Sequence, residues 1–515
     1  MHDATLFLTR NDSTMSQDSA GSTPAKSLAE SNSRNKESLK STILTDRSFW
    51  GLAVTQFLGA FNDNLYKQLM LLMAIPAIGA DISEDTQGWA TTLFSLPFVL
   101  FSSFAGYLSD KYSKSVIIVL CKFAEVVITL LAVTAFLSYA SLEDWGTWTV
   151  LFMMGLHSTM FGPAKYGILP ELFRKDELPR ANGLILMSTF LAIILGVVTA
   201  GILKDLLVVK DEAGNPDFGR LWIGSIVCTV IAIVGTCTSF LIRKTSAAQP
   251  TAVMSLGDFG VSKSIRSLLW NDRPLLASII VSSMFYVIAG VVMPTVNVLG
   301  KNQLKIELDT HTSLLTGGLA IGIIIGSVLA NVDLKDLKRL RSGTQVLLGT
   351  IGLLLTLVLY YYTNLQTVGL AIGLIIGAVF VNIILRKLRT GSHVLLGTIG
   401  MFLTLVLLGF WKPGGAHLLG YWGALIGLIT TGMFAAVFIV PIQVFMQSRP
   451  PAETKGRMIG TMNFANFVGI LIAGPLYQLF LAIATSIGWP VSSIFWMLAV
   501  LLIPIAIRFR LPTVA

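Results

Sequence analysis

The sequence predicts an all-α, polytopic membrane protein: two six-helix halves, with one helical hairpin duplicated in the second half, about fourteen transmembrane helices in all. Three observations predict it. The 515 residues are 54% hydrophobic and only 13% charged, with a mean hydropathy of +0.73, a balance that soluble domains do not reach. Apolar runs long enough to cross a ~30 Å hydrocarbon core at ~1.5 Å per residue recur from residue 49 to the end. Lys and Arg fall in alternate loops, 21 in one set against 6 in the other, so the positive-inside rule places the first set and both termini in the cytoplasm. The net charge of +9 therefore reports topology and not a nucleic-acid partner.

Residues 1–47 are rich in Ser, Thr, Asn, Asp and Lys and cannot bury a core, so they are expected to form a disordered cytoplasmic tail with no cleaved signal peptide. The spans are expected near 49–75, 88–108, 115–139, 145–167, 182–204, 219–242, 274–299, 312–331, 343–362, 366–385, 392–411, 418–446, 456–484 and 489–508. The longest internal loop, 244–273, separates a six-helix bundle at 48–243 from a larger one at 274–515. In that loop Val261, Ile265, Leu268 and Leu269 share one face and Lys263 and Arg266 lie off it, which suits a short helix on the membrane surface. Cys121, Cys228 and Cys237 all fall in apolar runs and read as packing residues.

The second half is longer because of a tandem repeat. GLAIGIIIGSVLANVDL at 318–334 matches GLAIGLIIGAVFVNIIL at 369–385 in 11 of 17 positions, and 340–358 matches 388–406 in 14 of 19. One hairpin has been copied, as 318–363 and 369–411. An added pair of crossings leaves the downstream topology unchanged. The glycines of each copy (Gly318, Gly322 and Gly326; Gly369, Gly373 and Gly377) recur every fourth residue, as close helix packing requires. Either copy, or a hybrid of the outermost helices 312–331 and 392–411, could fill the two central places; Asp333 and Asp336 of the first copy become Ile384 and Lys387 in the second, so the first copy is expected to keep them.

The polar chemistry concentrates in the first span. At 100° per residue Gln56, Asp63 and Lys67 fall on one stripe, with Gly59 and Ala60 between them. A mid-span carboxylate costs at least ~2.5–3.5 kcal/mol on insertion scales. Either Asp63 and Lys67 neutralise each other, or the stripe faces a hydrated cavity. Glu125 is one turn from Lys122, where a structural ion pair is expected. Asn463 and Asn466 either tie helices together or line the cavity. Pro163 and Pro170 bracket Lys165 and Tyr166, so the fourth helix is expected to break there; Lys165 then serves as a head-group ligand or as a snorkelling anchor.

Two six-helix halves joined by a cytoplasmic loop resemble the plan of the major facilitator superfamily, and GYLSDKYSKS (106–115) resembles its signature after the second helix. The resemblance assigns gating roles to Gly106, through close helix approach, and to Asp110, Lys111 and Lys114; Ser113 replaces the signature's usual second glycine. QFLGAFNDNLYK (56–67), FGPAKYGILPELF (161–173) and RANGLILMSTFLAIILG (180–196) look like the bacterial lysophospholipid transporter family. That resemblance implies a polar site on Asn62, Asp63, Asn64, Lys165, Tyr166, Asn463 and Asn466, with Glu171 at the inner end of the fourth helix. It also implies lysophospholipid as substrate, residence in the bacterial cytoplasmic membrane, and a separate acyltransferase or acyl-carrier-protein ligase as candidate partners. No His is followed five residues later by Asp, and no G-x-x-x-x-G-K-[ST] occurs, so neither an enzyme nor a cofactor or metal is expected. The rival readings are an ion-coupled exporter of small amphipathic molecules and a non-transporting scaffold for lipid-remodelling enzymes.

Overall fold

The computed structural model describes residues 42–76, 81–174, 177–210, 216–251, 260–261, 263–331, 390–450 and 455–509. Twelve long helices occupy most of them: α1 (Arg47–Met73), α2 (Gln87–Lys111), α3 (Lys114–Leu137), α4 (Tyr139–Gly167), α5 (Leu178–Leu207), α6 (Trp222–Ser239), α7 (Arg273–Val298), α8 (Asp309–Asn331), α9 (Thr390–Leu408), α10 (Gly420–Ser448), α11 (Lys455–Ser486) and α12 (Ser493–Arg508). Eight of them are long and apolar enough to cross a membrane by composition, and α9 and α12 are shorter apolar helices. Missing from that group are α1, which carries Gln56, Asn62, Asp63, Asn64, Lys67 and Gln68, and α4.

The helices alternate in direction. One end of the bundle carries the basic loops and is called here the basic end; α1 runs from it to the far end. In the first half α1 lies on α5 and α6, α2 on α4, and α3 on α4 and α6. In the second half α7 lies on α11, α8 on α10, and α9 on α10 and α12, while the halves meet through α2 with α11 and α5 with α8. Apolar faces form the two cores, one around Leu65, Tyr66, Phe136 and Leu151, the other around Phe438, Phe445, Tyr477 and Phe495.

The α4 helix continues through Pro163 and breaks after Gly167, between the two prolines as expected; the short helix Leu169–Leu172 follows, with Pro170 in its first turn, where a missing N–H costs nothing. The glycines of the first copy do press on a neighbour: a Cβ on Gly322 or Gly326 would collide with the backbone of Ile429 or Met433 in α10. The spans 343–362 and 366–385, with Gly369, Gly373 and Gly377, lie outside the described residues. Against α10 and α12 the hairpin's second place is filled by Thr390–Leu408, which belongs to the second copy. The central hairpin is thus a hybrid, first helix from the first copy and second helix from the second, and the expectation that the first copy holds both places is corrected.

Candidate functional site

The polar residues of α1 separate into two sets once its neighbours are in place. Gln56 is buried against α5, its Nε2 donating to Thr189 Oγ1 at 3.2 Å, and Asn62 is fully buried, donating to Glu125 Oε1 at 2.9 Å and to the Cys228 carbonyl at 3.0 Å. Both point into the half's interior, so their assignment to a cavity is corrected. The reason is that α1 has several neighbours: Thr189 of α5 meets the stripe at Gln56, and Glu125 of α3 and the Cys228 carbonyl of α6 meet Asn62 off it. Asn62 joins a buried cluster in which Lys122 pairs with Glu125, both with no exposed side-chain surface, and His157 Nε2 lies 3.7 Å from Glu125 Oε2. The expected Lys122–Glu125 pair is present.

Asp63, Asn64 and Lys67 form the second set, each only partly buried. The Asp63 carboxylate accepts a hydrogen bond from Ser158 of α4, leaving Oδ1 with no protein donor. Lys67, one turn from Asp63 and within reach of its charge, lies over the Phe94 ring of α2, 5.1 Å from its centroid. Asn64 donates to the Ala60 carbonyl one turn back at 2.8 Å. On α4, Lys165 Nζ lies 5.8 Å from the Phe161 centroid and 4.8 Å from that of Tyr166, which is exposed. Ser158 marks the level of Asp63. Lys67 is one turn beyond it toward the far end, about 6 Å, and Lys165 two turns toward the basic end, about 10 Å. The backbone positions of the two lysines therefore stand at different depths with that of Asp63 between them.

Of the asparagines on α11, Asn463 is exposed and Asn466 is buried, its Oδ1 accepting from Ser282 of α7 at 2.8 Å. Asn466 ties two helices together and does not line a cavity.

At the basic end, Lys114 is buried and pairs with Glu171 Oε1 at 2.6 Å, while Lys111 donates to Tyr107 Oη at 2.7 Å. The Asp110 side chain is exposed, and its backbone carbonyl accepts from the Gln249 amide at 2.8 Å. The Lys114–Glu171 contact lies within the first half. Gly106 has no atom within 4 Å of where a Cβ would stand, so the close helix approach expected there is absent.

Direct polar contacts between the halves gather at the far end. Asp205, near the end of α5, accepts from the Asp309 and Thr310 amides at 2.6 and 2.8 Å, placing its charge on the N-terminus of α8. Lys204 reaches Asp309 at 3.3 Å and the Leu72 carbonyl at 2.7 Å, and Lys301 reaches Asp309 at 2.9 Å. Deeper, Asn297 of α7 accepts from Gln68 and Thr316 and donates to Gln87, all at 3.0 Å. Gln478 of α11 donates to the Asp85 carbonyl at 2.8 Å, and Gly88 meets Gly474 backbone to backbone. Below this seal Phe98 and Phe467 stack, their centroids 3.8 Å apart. Sequence reading missed these residues. Lys204 and Lys301 read as sparse loop charges, and nothing local marks Asn297 or Gln68 as partners 229 residues apart. The one available signal was an acid at the end of one span, Asp205, and another at the start of a later one, Asp309.

A family model, that of the Major Facilitator Superfamily, matches residues 52–386. Among curated proteins the chain is similar to the lysophospholipid transporter LplT of Photorhabdus laumondii, 30% identical over 314 residues, which cover 59% of this chain and 71% of that protein. It is also similar to LplT of Pectobacterium carotovorum, 28% identical over 61% of this chain and 72% of that protein, and of Escherichia fergusonii, 28% identical over 65% and 81%. Among solved structures, the nucleoside transporter NupG superposes with a TM-score of 0.55 over 89% of this chain and 97% of that one, at 11% identity, a likeness of fold alone.

Proposed function

Because the chain belongs to the major facilitator superfamily and, within it, to the lysophospholipid transporter family, we propose that it carries lysophospholipids across the bacterial inner membrane by alternating access. The observation that supports this reading is the pair Lys67 and Lys165, two cations on membrane-depth helices that lie over aromatic rings on either side of the level of Asp63. A cation–π contact is worth ~0.5–2 kcal/mol, less than the ~2.5–3.5 kcal/mol an ammonium costs at mid-span. A phosphate head group passing between them supplies the rest. Asp63, with a free carboxylate oxygen between the two, suits a cationic group on the same head. The acyl chain then lies against the apolar second half.

With the basic end in the cytoplasm, the polar seal at the far end closes the outer face, and exposed Tyr166 and Asn463 stand on the open side. A separate acyltransferase or ligase working on the delivered lipid fits a chain with no motif for that chemistry. The ion-coupled reading is weaker, since Glu125, one of its two proton candidates, is held by Lys122 and Asn62 away from the cavity.

The test is translocation of a labelled lysophospholipid into proteoliposomes. Asp63→Asn keeps a Ser158 partner and should reach the membrane normally, yet lose most transport. Wild-type transport by well-folded Asp63→Asn protein would overturn the assignment of Asp63, and no translocation by the wild-type chain would overturn the substrate.

A further inference from the structure

We propose that the surface helix Lys263–Asn271 and the start of α7 form a binding site for an anionic membrane phospholipid, separate from the transport path. The helix is amphipathic and its apolar side is used: Ile265 and Leu269 are buried in the core of the second half, with Val261 and Leu268 packed partly against it. The opposite side is left open. Arg266, Ser267, Trp270 and Asn271 line a shallow groove of about 370 Å³. Trp270 is 66% exposed and the Arg273 guanidinium lies 5.0 Å from its ring. The only hydrogen bond of Arg266 among the described residues is a long one, 3.4 Å, to the Val261 carbonyl. The nearby acid Asp272 is already occupied, capping α7 through the Leu275 amide and pairing with Arg449 at 2.6 Å. Neither Arg266 nor Arg273 meets a carboxylate among the described residues.

Depth supports a lipid over a soluble anion. Trp270 stands two residues before the cap of a membrane-spanning helix, so its ring and the two guanidiniums sit at head-group level, where Trp and Arg are favoured. From Arg273 an apolar track continues along α7 into the bilayer through Leu276, Ala277 and Ile280, spaced at i+3, i+4 and i+7, with Ile280 51% exposed. A phosphodiester between the guanidiniums would have its acyl chain on that track. Arginine presents a planar fork of donors that matches phosphate oxygens, which a lysine pair would not.

The experiment is native mass spectrometry of the full chain, released from nanodiscs of equal parts phosphatidylglycerol and phosphatidylcholine. Wild-type protein should retain phosphatidylglycerol selectively. The Arg266→Gln, Arg273→Gln double variant should lose roughly 10- to 30-fold of that preference, the size expected for two cations at an anionic surface, while keeping the wild-type melting temperature. Trp270→Ala alone should lower retention of both lipids. Equal retention of the two lipids by wild type, or unchanged selectivity in the double variant, would overturn the site. Displacement of phosphatidylglycerol by inorganic phosphate without loss of phosphatidylcholine would show an anion site that does not read lipid, and would overturn the lipid assignment.

Discussion

In the first half, Lys122, Glu125, His157 and Asn62 sit at the centre of α1, α3, α4 and α6. Among the described residues the second half has no such cluster, and its helices carry charge only near their ends. The first half makes room for the charge with small residues: a Cβ on Gly59 would stand 2.8 Å from Lys122 Nζ, and one on Gly235 3.3 Å. Glycine brings helices together in both halves, Gly155 on Phe94 and Gly196 on Phe61 in the first, Gly322 on Ile429 and Gly326 on Met433 in the second. The halves therefore share non-directional close contact and differ in the buried mid-helix ion pair, which among the described residues the first half alone carries.

The comparison breaks most severely at Lys122. Lys122→Met leaves the Glu125 carboxylate buried and unpaired and should destabilise by about 3–5 kcal/mol, read as lost expression or a lowered melting temperature in detergent. Adding Glu125→Gln should restore much of it; if the double variant is no better than the single, the pair is not what the charge is for. In the second half size should matter and charge should not. Gly322→Val is expected to cost about 1–3 kcal/mol by forcing α8 off α10, whereas Gly106→Val, with open space around it, should be close to neutral. Equal effects at the two glycines would undo the contrast.

A smaller effect is expected where the halves meet. Asn297→Leu leaves Gln68 and Gln87 without their shared partner and should cost about 1–3 kcal/mol of the sealed state. A cysteine at Ser313, buried beside Gly201 at the α5–α8 contact, should then be alkylated faster from the far side. Protection equal to that of the parent Ser313→Cys protein would show that the seal does not depend on Asn297. The smallest effect concerns the repeat. Asn331 and Asn382 are equivalent, so deleting 332–382 joins α8 to the second copy's end of the hairpin and preserves both described helices. Lysophospholipid transport at matched expression should be nearly unchanged; loss of it would give the intervening segment a role of its own.

Much of this was legible in the residues, and the boundary is physical. Composition, loop charge and the repeat all report on the bilayer as solvent, which acts on each span separately; hence helices, halves and the copied hairpin could be read. The polar groups of α1 were legible as unusual but not by direction. A stripe drawn at 100° per residue treats a helix as if it had one partner, and α1 has several. Asp63 and Lys67 are partly buried, whereas Gln56, on the same stripe, and Asn62, off it, are buried with partners in Thr189 and Glu125. The seal between the halves was invisible because its members lie at helix ends, where polar residues are ordinary, and meet across separations such as Asp205 to Asp309.

Asn297 has a consequence for how the molecule idles. One amide holds Gln68 of α1, Gln87 of α2 and Thr316 of α8 at once, and every one of these groups is buried. Withdrawing α7 would leave Gln68, Gln87 and Thr316 all without their shared partner, whereas withdrawing α1 or α2 costs the bond that helix makes to Asn297. Two of the three bonds cross between the halves, and at ~1 kcal/mol net apiece they favour the sealed arrangement by roughly thirtyfold. That is the property a carrier needs in a membrane that stores energy as an ion gradient. A door that drifted ajar would be a leak in every copy, whereas this one opens at a useful rate only when a passenger binds the open form more tightly by a comparable amount.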